Sequence, residues 1–503
     1  MRFYLLAVLM LVAAVSVLSE PAKAAPTIDC SGKAPDNSDG EIFKLACKDA
    51  DLIALDRRLA DGFAKATVAA KDPLLMAALR LEERRRQLVS ENADRADTEH
   101  ATAALDFLKA GLERQKAILA ALAKPPAPGI AGEWANAHAS LKAEPIGADG
   151  YRLTFTNAHV ESAWGDVSIG TCTISVDVKR RADGWYQGPT KASDRTPTRV
   201  IRQGPVLAVA LGTADRSADC GRHEAITGPY FRLSAAPELA VPPVAAPVLP
   251  YFDCATEKGK EETCLDPELA GLDRDLNRAF ADAIKRVSPE TAKYLRQDQR
   301  DWLKLESDMV EDALSPTSSK LLLPLNNFGD GRTQAIDWLR GRIAMLDAVE
   351  ARRDGFIGDW MSSSAFARIT PSKRSGLFVS AEKAGFYYHA GDCDYVAWAK
   401  VHDGILAAKF QPASDPTKAG RRTPEVWSNG QMLTLDADYP ALDAANDKAN
   451  KSVPIRATYC TRRLDPDARL FPIRSDAKGV TPTFDSLTDE DNAQDQIDTE
   501  EAD

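Results

Sequence analysis

The stretch Cys47–Ala66, CKDADLIALDRRLADGFAKA, decides how the chain is read, because it aligns without gaps on Cys264–Ala283, CLDPELAGLDRDLNRAFADA. Ten of the twenty positions are identical: Cys47, Asp49, Leu52, Leu55, Asp56, Arg57, Leu59, Phe63, Ala64 and Ala66 all recur 217 residues further on. Self-similarity of this kind marks an internal duplication. In both stretches large apolar residues return every three or four positions (Leu52, Leu55, Leu59, Phe63; Leu269, Leu272, Leu276, Phe280, Ile284), which paints one apolar stripe on a helix. Asp49 and Asp266 stand just before the stripes, and Pro267 at a first helical position. Both acids therefore read as N-caps rather than catalytic carboxylates.

The correspondence runs outward in order. Leu79-Arg80 followed by Glu83-Arg84 matches Leu295-Arg296 followed by Gln299-Arg300, and Gly132-Glu133-Trp134 matches Gly358-Asp359-Trp360. Two cysteines precede each tryptophan signal (Cys30 and Cys47; Cys254 and Cys264) and two follow it (Cys172 and Cys220; Cys393 and Cys460). Helical spacing predicts a second helix over 73–91 and 289–310, and a third over 98–122 and 332–351. After breaks at Pro125–Gly129 and at Asp354-Gly355 the pattern alternates, in Tyr151–Thr156, Cys172–Val178, Leu377–Ser380, Cys393–Trp398 and Ile405–Phe410, and predicts short strands.

The fold class expected is α+β multidomain: two tandem units, each a small three-helix disulfide-linked module followed by an antiparallel β barrel or sandwich module. The expected divisions are 1–24 signal peptide, 25–124 helical module, 125–236 β-rich module, 237–250 Pro-rich linker, 251–354 second helical module, 355–474 second β-rich module and 475–503 acidic disordered tail. The linker, with Pro242-Pro243 and Pro247, should be extended and semi-stiff.

Arg2, the apolar run Phe3–Leu18 and then Ala22-Lys23-Ala24 have the form of a signal peptide cleaved after Ala24. The run falls short of the ~20 residues that span a bilayer. The first cysteine, Cys30, lies behind Pro26-Thr27-Ile28-Asp29, which argues against a lipid anchor, and no later stretch reaches spanning length. The expected location is periplasmic or secreted, with no integral membrane segment after signal removal. In an oxidising compartment eight cysteines make four disulfides. The duplication favours local pairing: Cys30 with Cys47, Cys172 with Cys220, Cys254 with Cys264, Cys393 with Cys460.

The net charge is −11, and loss of the leader, with Arg2 and Lys23 against Glu20, makes it −12. Nine acids and no base lie between Phe484 and the end (Asp485, Asp489, Glu490, Asp491, Asp495, Asp498, Glu500, Glu501, Asp503), so the folded part is near neutral. That balance excludes nucleic acid as a partner, and the tail has too few large apolar residues to pack.

Six histidines stand singly, without a His-Glu-x-x-His pair, a phosphate-binding glycine loop or a Gly-x-Ser-x-Gly turn. No cofactor, no metal and no catalytic residue is expected. The group His389, Asp392, Cys393 and Asp394 reads as turn residues beside a disulfide. The pairs Asp56-Arg57 and Asp273-Arg274, with Arg296 and Arg300 on the next helix, form either a polar binding face or an ion-pair staple between helices; the staple is the favoured reading. Trp134 and Trp360 read as core residues rather than sugar platforms.

A Cys, then Cys-x-Asp-x-x-Leu-x-x-Leu-Asp-x-x-Leu, then Leu-Arg-x-x-Gln-Arg-x-Trp-Leu resembles the N-terminal domain of the LprI-type lysozyme inhibitor family. The second copy carries the pattern in Cys254, Cys264, Asp266, Leu269, Leu272, Asp273, Leu276, Leu295, Arg296, Gln299, Arg300, Trp302 and Leu303. The first has Glu83 and Arg86 where Gln and Trp are expected, and both lack the family's later Arg-x-x-Cys, replaced in the second copy by Glu306–Met309. The resemblance covers roughly 60 residues of each helical module. It implies a secreted or periplasmic non-catalytic binding protein, with a lysozyme-type hydrolase or another envelope protein as partner and Asp273, Arg296, Gln299 and Trp302 as candidate binding residues. The alternative is an envelope scaffold without inhibitory activity; an enzyme acting on an envelope polymer has the least support.

Overall fold

In a computed structural model of the chain the acidic caps open the helices. The described residues are 28, 30, 41–94, 101–123, 128–147, 149–163, 166–188, 197–210, 228–237, 248–314, 331–363, 365–373, 376–383, 394–402, 405–411, 425–428, 430–436 and 469–476. Residues 1–27, most of the Pro-rich stretch and the acidic C-terminal residues lie outside them. Contacts divide the chain into one unit of residues 1–271 with 312–331 and another of 272–311 with 332–503.

The first unit begins with α1 (Glu41–Ala46), α2 (Ala50–Ala69), α3 (Pro73–Asp94) and α4 (Ala101–Leu122). Asp49 accepts the Leu52 N–H at 3.0 Å. The predicted stripe of α2 buries Leu52, Leu55, Leu59 and Phe63. Leu74, Leu81, Leu108, Leu112 and Ile118 from α3 and α4 close over it. Cys30 and Cys47 are bonded across 17 residues, a loop whose closure contributes about 3 kcal/mol.

The same core takes in a segment from much later in the chain. Residues 251–271, with α5 (Glu261–Leu265) and the start of α6 (Pro267–Arg286), belong to the first unit. Cys254 and Cys264 are bonded to each other and are buried with Leu265 against the helices. Arg80 donates to the carbonyls of Cys254 and Ala255. Arg84 pairs with Glu261 at 3.2 Å and Glu262 at 2.6 Å. Asp266 accepts the N–H groups of Glu268 and Leu269 at 2.9 and 3.3 Å, so α6 starts at Pro267 as the cap predicts.

The β-rich part is a closed antiparallel barrel rather than a sandwich. Its strands follow in chain order: β1 (Gly132–Ala135), β2 (Ala139–Ile146), β3 (Gly150–Ala163), β4 (Asp166–Arg180), β5 (Tyr186–Gln187), β6 (Arg199–Gln203), β7 (Val206–Ala210) and β8 (Gly228–Ala235). Pairing of β8 with β1 closes the ring, Gly132 opposite Ala235. Along β2 buried and exposed residues alternate, and Leu141, Leu153, Phe155, Val176, Val200, Leu207 and Tyr230 share one core. Cys172 is disulfide-bonded; Cys220, Cys393 and Cys460 lie outside the described residues.

The second unit holds most of α6, then α7 (Pro289–Leu314) and α8 (Gly331–Ala348). A second closed barrel follows: β9 (Gly358–Met361), β10 (Ala365–Pro371), β11 (Leu377–Lys383), β12 (Asp394–His402), β13 (Ile405–Gln411), β14 (Glu425–Ser428), β15 (Leu433–Asp436) and β16 (Arg469–Ile473). Trp360, Ile369, Val379, Leu406, Leu433 and Leu470 form its core.

The Gly-acid-Trp signals have a physical cause. Gly132 and Gly358 have φ of +128° and +125°, which side chains rarely tolerate. A Cβ on Gly132 would meet the Ser234 carbonyl oxygen at 2.2 Å, and one on Gly358 the Arg353 guanidinium at 2.1 Å. Each tryptophan is buried, as expected of a core residue, and its Nε1–H donates at 2.8 Å to a carbonyl four residues back, that of Ile130 or Phe356. An arginine lies over each ring, Arg232 at 4.5 Å and Arg353 at 5.5 Å.

Candidate functional site

Helix α7 is two-faced. Ala292, Leu295 and Trp302 are buried, as are the polar Asp298 and Gln299, whereas Lys293, Arg296, Arg300 and Lys304 are exposed. The exposed bases follow at spacings of three, four and four, and at 100° per residue they fall within an arc of about 80°. Arg300 donates to Gln297, one turn away on the same helix. By sequence the stripe ends at Lys304, since Glu306, Asp308, Glu311 and Asp312 follow.

On the inner face a buried arginine gathers the polar groups. Arg342, on α8, donates to Gln299 Oε1 at 3.0 and 2.8 Å and to Asp298 Oδ2 at 2.8 Å. Its guanidinium stands 5.7 Å from the Trp302 ring, which packs against Trp338 at 6.3 Å. The other oxygen of Asp298 accepts the Ser363 N–H at 2.7 Å, just past β9. One carboxylate thus joins two helices to the barrel. A buried ion pair is held by geometry and full hydrogen bonding more than by net Coulomb gain, and all three groups here are engaged.

The first unit has a related junction. Glu82 on α3 is buried, and Gln115 on α4 donates to its Oε1 and to its carbonyl, both at 3.1 Å. Arg114 donates to the Ala137 carbonyl at 3.0 and 2.7 Å, and Arg85 to that of Pro229 at 3.2 Å. Burial pushes the Glu82 carboxyl up to about 6, although Arg85, Gln115, the Ala137 N–H and Arg114 act against it. Burial, then the charges of Arg85 and Arg114, push His138 down to about 3. Burial also raises the Tyr230 hydroxyl. Perturbed groups often mark catalysis. Here Glu82, His138 and Tyr230 are at most 3% exposed, out of reach of a substrate, so the cluster joins helices to barrel.

The four candidate residues are therefore placed differently. Arg296 is exposed. Gln299 and Trp302 are buried beneath the face, and Asp273 is half-buried on α6, its carbonyl accepting from Asn277 at 2.9 Å. In the first unit a staple between α2 and α3 exists: Asp56 pairs with the buried Arg86 and also accepts the Ile28 N–H at 3.0 Å. Arg86 occupies the position where the second stretch has Trp302.

Sequence reasoning missed Glu82, Asp298 and Arg342. A signal was available: Glu82 and Asp298 are acids one place before the aligned Glu83 and Gln299. Of the group at 389–394, the residues up to Cys393 lie outside the described residues, and Asp394 opens β12. Among the described residues there is no cluster of metal-binding side chains, and no helix is long and apolar enough to cross a membrane.

Comparison with curated proteins and with solved structures gives no match. Comparison with family models gives one: the model described as Lysozyme inhibitor LprI matches residues 254–340, from the Cys254–Cys264 disulfide through α7 to α8, and by that description the family consists of inhibitors rather than enzymes.

Proposed function

We propose that this chain is an exported, non-catalytic binding protein that restrains a lysozyme-type cell-wall hydrolase through the exposed face of α7. The observation that carries the reading is the family match over 254–340, which spans the whole of that helix. The chemistry of the face suits such a partner. Glycosidases work with paired carboxylates flanking the sugar bond. Guanidinium groups meet carboxylates with two parallel, charge-assisted hydrogen bonds. Arg296 and Arg300 supply such groups, while Asp298, Gln299, Trp302 and Arg342 hold the helix that presents them.

The same reading takes the chain as two tandem units arisen by duplication, with modules divided at 124, 236, 250 and 354 and a leader removed after Ala24. Support comes from the two junctions. Glu82 with Gln115 and the Ala137 amide, and Asp298 with Arg342 and the Ser363 amide, use a carboxylate on the second helix, a side chain on the third, and a backbone N–H three residues past the buried tryptophan. Two disulfides confined to short stretches accord with export and with local pairing of the other four cysteines.

The test is clearance of a cell-wall suspension by lysozyme with the full chain in molar excess. Slowing is expected, and Arg296→Ala with Arg300→Ala should weaken it about tenfold, the size of a modest interface contact. Absence of slowing at saturating protein would overturn the inhibitory reading in favour of an envelope scaffold.

A further inference from the structure

We infer that the basic face of α7 is covered by the chain's own acidic C-terminal segment, Asp485–Asp503. The last described strand delivers the chain to this place. At the end of β16 Arg474 donates to the Asp347 carbonyl at 3.4 Å, and Arg286, the last residue of α6, donates to the carbonyls of Leu346 and Asp347 at 2.5 and 3.3 Å. The chain therefore leaves the barrel beside the corner where α6 passes to α7. The start of β16 also lies along α7, with the Arg469 guanidinium 5.6 Å from the Tyr294 ring.

Length and charge fit. From Asp476 to the first acid, Asp485, nine residues reach at most about 30 Å. The stripe from Lys293 to Lys304 is only about 16 Å long at 1.5 Å per residue. The segment carries nine acids without a base, the stripe carries four exposed bases flanked by the exposed Glu290 and Asp301, and it ends where α7 itself becomes acidic. Single exposed ion pairs are worth little. Tethering changes the outcome, because an attached segment is present at an effective concentration in the millimolar range. A free acidic peptide in dilute solution has no such advantage. If the proposed inhibitory face is correct, the segment also competes with the carboxylates of a partner; that consequence rests on the proposed function, whereas the contact does not.

Lysine acetylation by a soluble active ester, read by mass spectrometry, tests the contact without any hydrolase. In the full chain at low salt Lys293 and Lys304 should react several-fold more slowly than in a chain ending at Asp476, while the exposed Lys65 and Lys71 of the first unit react alike in both. The protection should vanish in a chain whose nine tail acids are changed to amides, a change that leaves the folded part intact. It should vanish also in Arg296→Glu/Arg300→Glu, and at 0.5 M salt, where the Debye length is about 4 Å. Equal reactivity with and without the tail would overturn the inference, as would protection that survives amide substitution or extends equally to Lys65 and Lys71. Protection that grows with protein concentration would also overturn it, assigning the contact to a second molecule.

Discussion

Glu82 and His138 belong to one buried cluster and titrate in opposite senses, which makes separate replacement of each by glutamine informative. In the folded chain Glu82 keeps its proton up to about pH 6, whereas an ordinary glutamate releases it near 4.5. Between these values the native state holds a proton that the unfolded state has lost. The resulting stabilisation is complete at low pH and is lost as pH rises, by about 1.4 kcal/mol per pH unit and about 2 kcal/mol in all. His138 behaves conversely: it stays neutral in the fold down to about pH 3, while an unfolded histidine takes a proton below 6.5. Its contribution is present above pH 6.5 and is lost as pH falls, with the same slope. From pH 4.5 to 6 the two slopes cancel. Glu82→Gln should expose the histidine and lose about 2 kcal/mol as pH is lowered across that interval, and His138→Gln should gain about 2 kcal/mol across the same interval. The double variant should match the parent in slope. Because the chain has two units, the assay must be local: equilibrate in urea at each pH, label with a brief deuterium pulse at a common pH, and read the peptides of β3. Parallel profiles for the two single variants would refute the reasoning.

Replacing Arg342 by methionine keeps bulk but leaves the Asp298 carboxylate and Gln299 without their donor, and should destabilise the second unit by about 3 to 5 kcal/mol, recovered in part by adding Asp298→Asn; a urea titration read on α8 peptides checks it. A fragment of residues 25–250 should self-associate and bind a hydrophobic dye, because it lacks the Cys254, Cys264 and Leu265 surface that covers the first core, whereas residues 25–271 should be monomeric by light scattering.

The helices of both units were legible because apolar spacing and capping acids are local. Leu52, Leu55, Leu59 and Phe63 face inward as spaced, and Asp49 and Asp266 cap as placed. Strand stretches were legible from alternation, but barrel closure was not: the pairing of Gly132 with Ala235 depends on curvature accumulated over eight strands. The docking of 251–271 into the first unit was hidden behind the strongest compositional break in the chain. It rests on Arg80 and Arg84 reaching residues more than 170 positions away. Of the candidate site, the pattern picked out Arg296, Gln299 and Trp302 together. Spacing along α7 would have separated the exposed Arg296 from the buried pair, but Asp298 and Arg342 defy the rule that charge lies outside, and only their mutual geometry explains their burial.

Sealing each sheet into a ring has a consequence for recognition. A strand at an open margin offers a row of unpaired amides and carbonyls, onto which any extended peptide can add as a further strand with little regard for its sequence. In the two barrels β1 pairs with β8 and β9 with β16, so the described strands present no such margin. Closure of this kind protects a chain from promiscuous strand exchange with unfolded neighbours. Whatever it binds specifically must be told apart by side chains, such as those on the exposed face of α7 or the charged Lys142, Glu144, Arg152 and Asp177 on the outside of the first barrel.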